Sequence, residues 1–177
     1  MKITVIKGDI IELDIDVIVN AAKTTLRGGG GVDGAIHSKA GPQLLAECIT
    51  LDGCETGDAK MTKGYNLKAK YVIHTVGPIF FDGNNNEDNL LESCYKTSLK
   101  LADEADCKTI AFPCISTGGY SFPSRRAANM VVKILREFKA KNIQEVIICC
   151  YMDEDFEIYS ELLEKNIFKR VLNLFKY

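Results

Sequence analysis

The chain has no tryptophan, only two histidines and no Cys-x-x-C pair. His37 and His74 alone make a poor set of metal ligands, so no metal ion is called for. The cysteines are Cys48, Cys54, Cys94, Cys107, Cys114, Cys149 and Cys150, and an odd count of seven does not suit a disulfide framework. Cys149 and Cys150 fall in an apolar run and read as small core residues. A dominant charge is also missing: 22 basic residues face 24 acidic ones, for a net charge of -2. That balance exerts no general pull on nucleic acid or anionic membrane, so any phosphate affinity must come from local geometry. No apolar run is long enough to span a bilayer, and Met1-Lys2-Ile3 begins no secretory signal. A cytoplasmic monomer is expected. Repeats, low-complexity segments and linkers are absent as well. A chain of 177 residues, 46% apolar, suits one domain spanning 1–177.

What is present centres on Val17 to Ile36, VIVNAAKTTLRGGGGVDGAI. Val17-Ile18-Val19 reads as a buried strand. A polar connector follows Asn20 and leads into four glycines, Gly28 to Gly31, and then a helical segment from Val32 to Lys39. Glycines let a ligand approach the backbone, successive N–H groups form a concave nest, and a helix N-terminus adds oriented donors with partial positive charge. A phosphate or pyrophosphate fits that arrangement. Gly29-x-Gly31-x-x-Gly34 matches the dinucleotide fingerprint only formally, because Ala21 to Gly28 separate it from the strand. No Gly-Lys-Ser/Thr follows, so it is not a Walker loop either. Asn20 either binds ligand or pins the connector through its side chain, and pinning is the favoured role.

Further strands are expected at Ile3–Lys7, Tyr71–Val76, Thr109–Pro113 and Glu145–Cys150, with an edge strand or loop within 50–70 and a last strand at Lys169–Phe175. Helices are expected at Ala35–Ala40, Pro42–Ile49, Asn89–Ala105, Ser124 to about Lys141, and Asp153–Glu164. Alternating strands and helices imply a three-layer α/β/α domain. Ser116-Thr117-Gly118-Gly119-Tyr120 repeats the pattern of strand, glycine loop and helix. Two such loops at one sheet edge would grip a pyrophosphate from both sides. Tyr120 and Phe122 either cover a sugar or pack within the loop. His74, inside a strand, reads as a satisfied core histidine. Tyr151 lies at a strand's carboxyl end, where a ring is placed to stack on a base. On residue type alone, Gly8-Asp9 is a turn and Asp33 favours a helix N-terminus.

The motif NAAK-x-x-L-x-GGGGVDGAIH closely resembles NAAN-x-x-L-x-GGGGVDGAIH, the signature of macrodomains of the MacroD type. Gly8-Asp9-Ile10, Thr56-Gly57-x-Ala59, Val72 to Pro78 (VIHTVGP) and Ala111 to Pro123 (AFPCISTGGYSFP) resemble that family in the same order. The likeness covers nearly the whole chain. It implies a mixed central sheet, ADP-ribose or its esters as ligand, mono-ADP-ribosylated proteins as partners, and no cofactor. It implies that Asp9 accepts from the adenine amino group, with the Ile10 backbone on the ring. It places Asn20, Gly30, Gly31, Val32, Gly34, Ala35 and Ile36 on one side of the ligand and Ser116, Thr117, Gly118, Gly119 and Tyr120 on the other. It implies that Asp33 helps activate a water beside the distal ribose, in hydrolysis of O-acetyl-ADP-ribose or of mono-ADP-ribose on acidic side chains.

One departure falls at a sensitive place. Lys23 stands where the family's second Asn orients the ribose hydroxyls. An amide donates and accepts, whereas an ammonium only donates. Lys23 could lie against Asp33 and make it a poorer base, swing to the diphosphate, or point to solvent. The second expectation is therefore a binding module with weak or no hydrolysis, and a more distant one is a module for NAD or poly-ADP-ribose. Gly119 and Ser121, where the family often has Val and Gly, alter the distal loop and leave its phosphate-facing backbone plausible.

Overall fold

The computed structural model describes residues 1–174, with side chains through Glu164. Six strands form one sheet: β1 Lys2–Lys7, β2 Val17–Ala21, β3 Ala59–Lys63, β4 Tyr71–Thr75, β5 Thr109–Phe112 and β6 Glu145–Cys150. Five helices cover it: α1 Gly31–Ala40, α2 Pro42–Thr50, α3 Glu87–Glu104, α4 Ser124–Glu137 and α5 Asp153–Leu174. The strand order is β1-β6-β5-β2-β4-β3, and only β3 runs antiparallel, at the edge. The sheet is mixed and the architecture is three-layer α/β/α.

Side-chain alternation along the strands builds the layers. Val17, Val19, Ile73, Ile110, Phe112, Val146, Ile148 and Cys150 enter the core beneath α3, α4 and α5. Ile18, Val72, Ala111 and Cys149 enter the core beneath α1 and α2. A strand buried on both faces needs apolar residues at every position, which is why these strands are β-branched runs rather than alternating ones.

Expected and observed boundaries differ at several elements, and two of the differences have a visible cause. Helix α4 stops at Glu137, short of Lys141, because Phe138 takes an extended conformation and joins the core beside α4. The expected strand at Lys169–Phe175 does not form: α5 continues as helix to Leu174, and Phe175 lies outside the described residues. Propensity over that segment is ambiguous between strand and helix, and continuation of a helix already begun adds one hydrogen bond per residue without a new nucleus.

The sheet also opens in one place. Strand β2 follows β4 over all of Val17–Ala21, but meets β5 only at Val17 and Ile18. Past Ile18 and Ala111 the neighbouring strands part. A crevice therefore opens between Ala21-Ala22 and Cys114-Ile115-Ser116, outside the carboxyl ends of the parallel strands, where open α/β sheets place their ligands.

Candidate functional site

Two adjoining cavities occupy this edge. The proximal one, about 390 Å3, is lined by Asp9, Ile10, Gly31, Val32, Ala35, Thr117, Gly118 and Tyr151, together with Cys114, Cys149 and Asp155. The distal one, about 440 Å3, is lined by Lys23, Gly30, Gly31, Val32, Asp33, Ser116, Gly118, Gly119 and Tyr120. Gly31, Val32 and Gly118 border both, so the cavities are two halves of one cleft.

The first loop is shaped by contacts that a sequence pattern does not reveal. Leu26 sits at φ +55 with its side chain fully buried, and anchors the connector into the core beneath α1. Gly34 is required by close approach: a Cβ there would stand 2.5 Å from the Gly29 carbonyl oxygen. Gly30 precedes α1 without a side-chain cap, and Gly31 enters the helix at φ +59. The leading N–H groups of this 10-residue helix are left without side-chain partners beside the cleft. A Cβ at Gly30, Gly118 or Gly119 would meet no protein atom within 4 Å.

The second loop closes on itself. Phe122 N–H donates to the Ser116 carbonyl at 2.9 Å, Ser121 N–H to the Gly118 carbonyl at 2.9 Å, and Thr117 Oγ1 to the Cys114 carbonyl at 3.1 Å. Ser116 holds φ +67, an uncommon conformation for a side-chain-bearing residue, and its buried Oγ has no partner. Gly77 leaves room for it, since a Cβ at Gly77 would stand 2.2 Å from that Oγ.

Beneath the first loop lies a polar chain inside an otherwise apolar layer. Asn20 and His74 face each other across β2 and β4 and are both fully buried. Asn20 Nδ2 donates to Asp33 Oδ1 at 2.7 Å and faces His74 Nδ1 at 3.1 Å. With Nδ1 accepting, the neutral ring carries its proton on Nε2 and donates to Thr62 Oγ1 at 2.9 Å. Burial, with a smaller push from His37, lowers the His74 pKa to about 3, so the ring stays neutral. His37 Nε2 lies 3.6 Å from Asp33 Oδ1 on the other side. The Asp33 carboxylate is thus held at one oxygen. Its Oδ2 is buried without a partner.

Lys23 is exposed, and its Nζ makes no ion pair with Asp33. Its Cε and Nζ instead lie against Gly29, 2.9 and 3.2 Å from where a Cβ would stand, with Asp33 Oδ2 3.0 Å from the same point. Glycine at 29 leaves to the lysine stem and the carboxylate the space that a side chain would take.

At the proximal end, Asp9 Oδ1 accepts the Ile11 N–H at 3.2 Å, capping a short 3-10 turn at Ile10–Glu12. Gly8 bends the chain, Asp9 caps the turn that follows, and the Asp9 carboxylate also borders the cavity. Tyr151, 76% exposed, forms the outer rim. The thiols here are poor nucleophiles. Burial pushes Cys149 up to about 11, and Cys114 is held far above the ordinary thiol range by its contact with Cys150 Sγ at 3.6 Å and by burial.

Three residues expected at the ligand do not line the cleft. Asn20 lies behind Asp33 and pins it, Gly34 packs on Gly29, and Ile36 is fully buried beneath α1. Phe122 packs inward on Phe80, with ring centroids 4.9 Å apart, and covers no open space. One candidate was missed. Asp155, in the first turn of α5, borders the proximal cavity with Oδ1 buried and unpartnered, while Oδ2 is 3.4 Å from Thr117 Oγ1. Among metal-binding residue types, His37, Cys48 and His74 place ligand atoms within 4.8 Å of one another. The His74 Nε2 proton points to Thr62, and burial raises the Cys48 thiol to about 11.

Comparison with known proteins identifies the family and the fold. The family description "Macro domain" matches residues 19–131. A Macro domain-containing protein of Chlorobaculum tepidum is 56% identical over 160 residues, covering 89% of this chain and 93% of that protein. The ADP-ribose glycohydrolase MACROD2 of Xenopus laevis is 55% identical over 170 residues; the match covers 93% of this chain but only 40% of that protein. The solved Oceanobacillus iheyensis macrodomain with ADP superposes with TM-score 0.86 at 38% identity, over 93% of this chain and 91% of that one. The Trypanosoma brucei macrodomain in complex with ADP-ribose gives TM-score 0.83 at 39% identity, over 91% and 68%. The chain belongs to the Macro domain family and is of the MacroD type.

Proposed function

We propose that this chain, acting as one domain over 1–177, binds ADP-ribose along the cleft and hydrolyses its esters. Adenine lies near Asp9, Ile10 and Tyr151. The diphosphate lies between Gly30-Gly31-Val32 and Ser116-Thr117-Gly118-Gly119, with Tyr120 over the distal sugar, and the distal ribose lies beside Asp33. The observation that carries the reading is the Asp33 carboxylate, held at Oδ1 by Asn20 with Oδ2 unpartnered at the wall of the distal cavity. A buried carboxylate oxygen without a donor is costly, and a water or ribose hydroxyl supplies one. The names and bound ligands of the similar proteins support the same ligand class.

In this reading a water donates its proton toward Asp33 and adds to the ester carbonyl. The carbon–oxygen bond to the ribose breaks, the ribose oxygen takes the proton, and the products are ADP-ribose and a free carboxylic acid. The two glycine loops hold the diphosphate through backbone N–H groups, which suits a chain with no excess positive charge. The substrates are O-acetyl-ADP-ribose and mono-ADP-ribose on acidic side chains of proteins. The chain acts as a cytoplasmic monomer with no nucleic-acid partner. Seven free thiols support a reducing compartment, and no helix among the described residues is long and apolar enough to cross a membrane.

Lys23 favours a second reading, in which the chain retains ADP-ribose and turns over slowly. Hydrolysis of O-acetyl-ADP-ribose by the wild type and by Asp33→Ala, alongside ADP-ribose binding, separates the two. The first reading expects turnover that falls at least about a hundredfold in the variant while affinity changes only a few-fold.

A further inference from the structure

The cleft does not end at Asp33. Lys23, Gly77 and Tyr120 of the distal cavity also border a third cavity of about 510 Å3, whose outer side is formed by Thr24, Thr25, Ile79, Phe81 and Leu90. Ile79 is 51% exposed and Phe81 74%. The residue between them, Phe80, turns inward. Its ring packs on Phe122 and lies under the Arg126 guanidinium, 5.6 Å from the ring centre, and its N–H donates to the Tyr120 carbonyl at 2.9 Å.

The following loop is tied as firmly. The Glu87 carboxylate accepts the N–H groups of Phe81 at 3.2 Å, Gly83 at 3.3 Å and Asn85 at 2.6 Å. Arg126 pairs with Asp88 at 2.8 Å, and its guanidinium stands 2.8 Å from where a Cβ at Gly83 would lie. Two large apolar side chains therefore stand exposed on a segment whose backbone is hydrogen-bonded at Phe80, Phe81, Gly83 and Asn85. Two exposed apolar groups lining one cavity mark a surface suited to a partner's apolar side chain.

We propose that this cavity and the Ile79–Phe81 ridge receive the polypeptide that carries an ADP-ribosyl ester, seating an apolar residue next to the modified acidic side chain. The proposal rests on the reading of the cleft as an ADP-ribose site. With adenine at Asp9 and the distal ribose at Asp33, whatever is joined to that ribose emerges past Lys23 and Tyr120 into this cavity. An acetyl group is far too small to reach Phe81, whereas a few residues of extended chain fill the space. The Lys23 ammonium, where the two cavities meet, has no ion-pair partner among the described residues. The other exposed apolar pair of the cleft, Tyr151 and Met152, lies at the adenine end and is not in line with the leaving group.

The test compares two probes by calorimetry: free ADP-ribose, and a short peptide with leucine beside an ADP-ribosylated acidic-residue isostere joined through a hydrolysis-resistant bond. The wild type binds the conjugate about tenfold more tightly than free ADP-ribose, the gain expected from covering one aromatic ring. Phe81→Ser and Ile79→Ser remove most of that advantage and leave the affinity for free ADP-ribose unchanged. Both positions are exposed, so the fold tolerates the changes. Equal affinity of the wild type for the two probes overturns the proposal and leaves the ADP-ribose site standing, as does an advantage that survives both substitutions. Failure to bind free ADP-ribose overturns the site and the proposal together.

Discussion

Asn20, fully buried in β2, donates its side-chain amide to Asp33 Oδ1 at 2.7 Å. The same amide nitrogen faces His74 Nδ1 at 3.1 Å, so both of its hydrogens are used and the carboxylate cannot rotate without breaking a buried bond. Asn20 is thus a positioning residue. Asn20→Ala leaves the cleft walls intact but frees Asp33 and empties a buried polar site. Turnover of O-acetyl-ADP-ribose falls roughly ten- to a hundredfold, while the dissociation constant for ADP-ribose changes less than about threefold. A variant whose affinity and turnover fall together contradicts this division of roles.

Lys23 lies against Gly29 and makes no ion pair with Asp33. Its head donates hydrogen bonds but accepts none, so it does not supply the acceptor that an amide offers to ribose hydroxyls. Lys23→Asn raises turnover of the small ester about tenfold, the worth of one recovered polar contact. Steady-state kinetics check this, and an unchanged rate means that Lys23 does not limit the reaction.

How much of this was legible in the sequence depends on the range of the interaction. The β-branched runs Val17-Ile18-Val19 and Val146-Ile147-Ile148 carry their own strand signal, and the glycines at 28–31 mark a backbone that a ligand approaches. Asn20 and His74 are 54 positions apart and meet only through the register of β2 against β4, which no local pattern encodes. Leu26 reads as part of a polar connector and is a buried anchor. Ile36, inside the glycine motif, faces the core because the helical period turns it away from the cleft.

Asp155 escaped notice because three acidic residues in a first helical turn are ordinary. Its distinction is positional: Oδ1 is buried at the cavity wall without a donor. Asp155→Ala removes an acceptor available to the adenosine half of the ligand. The affinity for ADP-ribose falls about tenfold while the melting temperature of the free protein changes by no more than about 2 °C. Calorimetry and thermal unfolding on one preparation measure both, and unchanged affinity removes Asp155 from the binding set.

His74 gives the fold a specific sensitivity to acid. Its pKa is about 3 when folded against an ordinary 6.5. Between those values the unfolded chain binds a proton that the folded chain refuses. Stability therefore falls as the pH drops from 6.5 toward 3, and it recovers above 6.5. The contribution reaches roughly 3 kcal/mol by pH 4.5. His74→Gln, compared with the wild type by urea unfolding at pH 7 and pH 4.5, shows a shallower loss over that interval, whatever its stability at pH 7. Equal slopes contradict the assignment.

The most direct test of the central claim is calorimetric titration of ADP-ribose into the wild-type protein, paired on the same preparation with hydrolysis of O-acetyl-ADP-ribose. One ligand per chain, with turnover lost in Asp33→Ala, is the predicted result. Binding without turnover assigns the chain to the reader class. Absence of binding contradicts the account of the cleft itself.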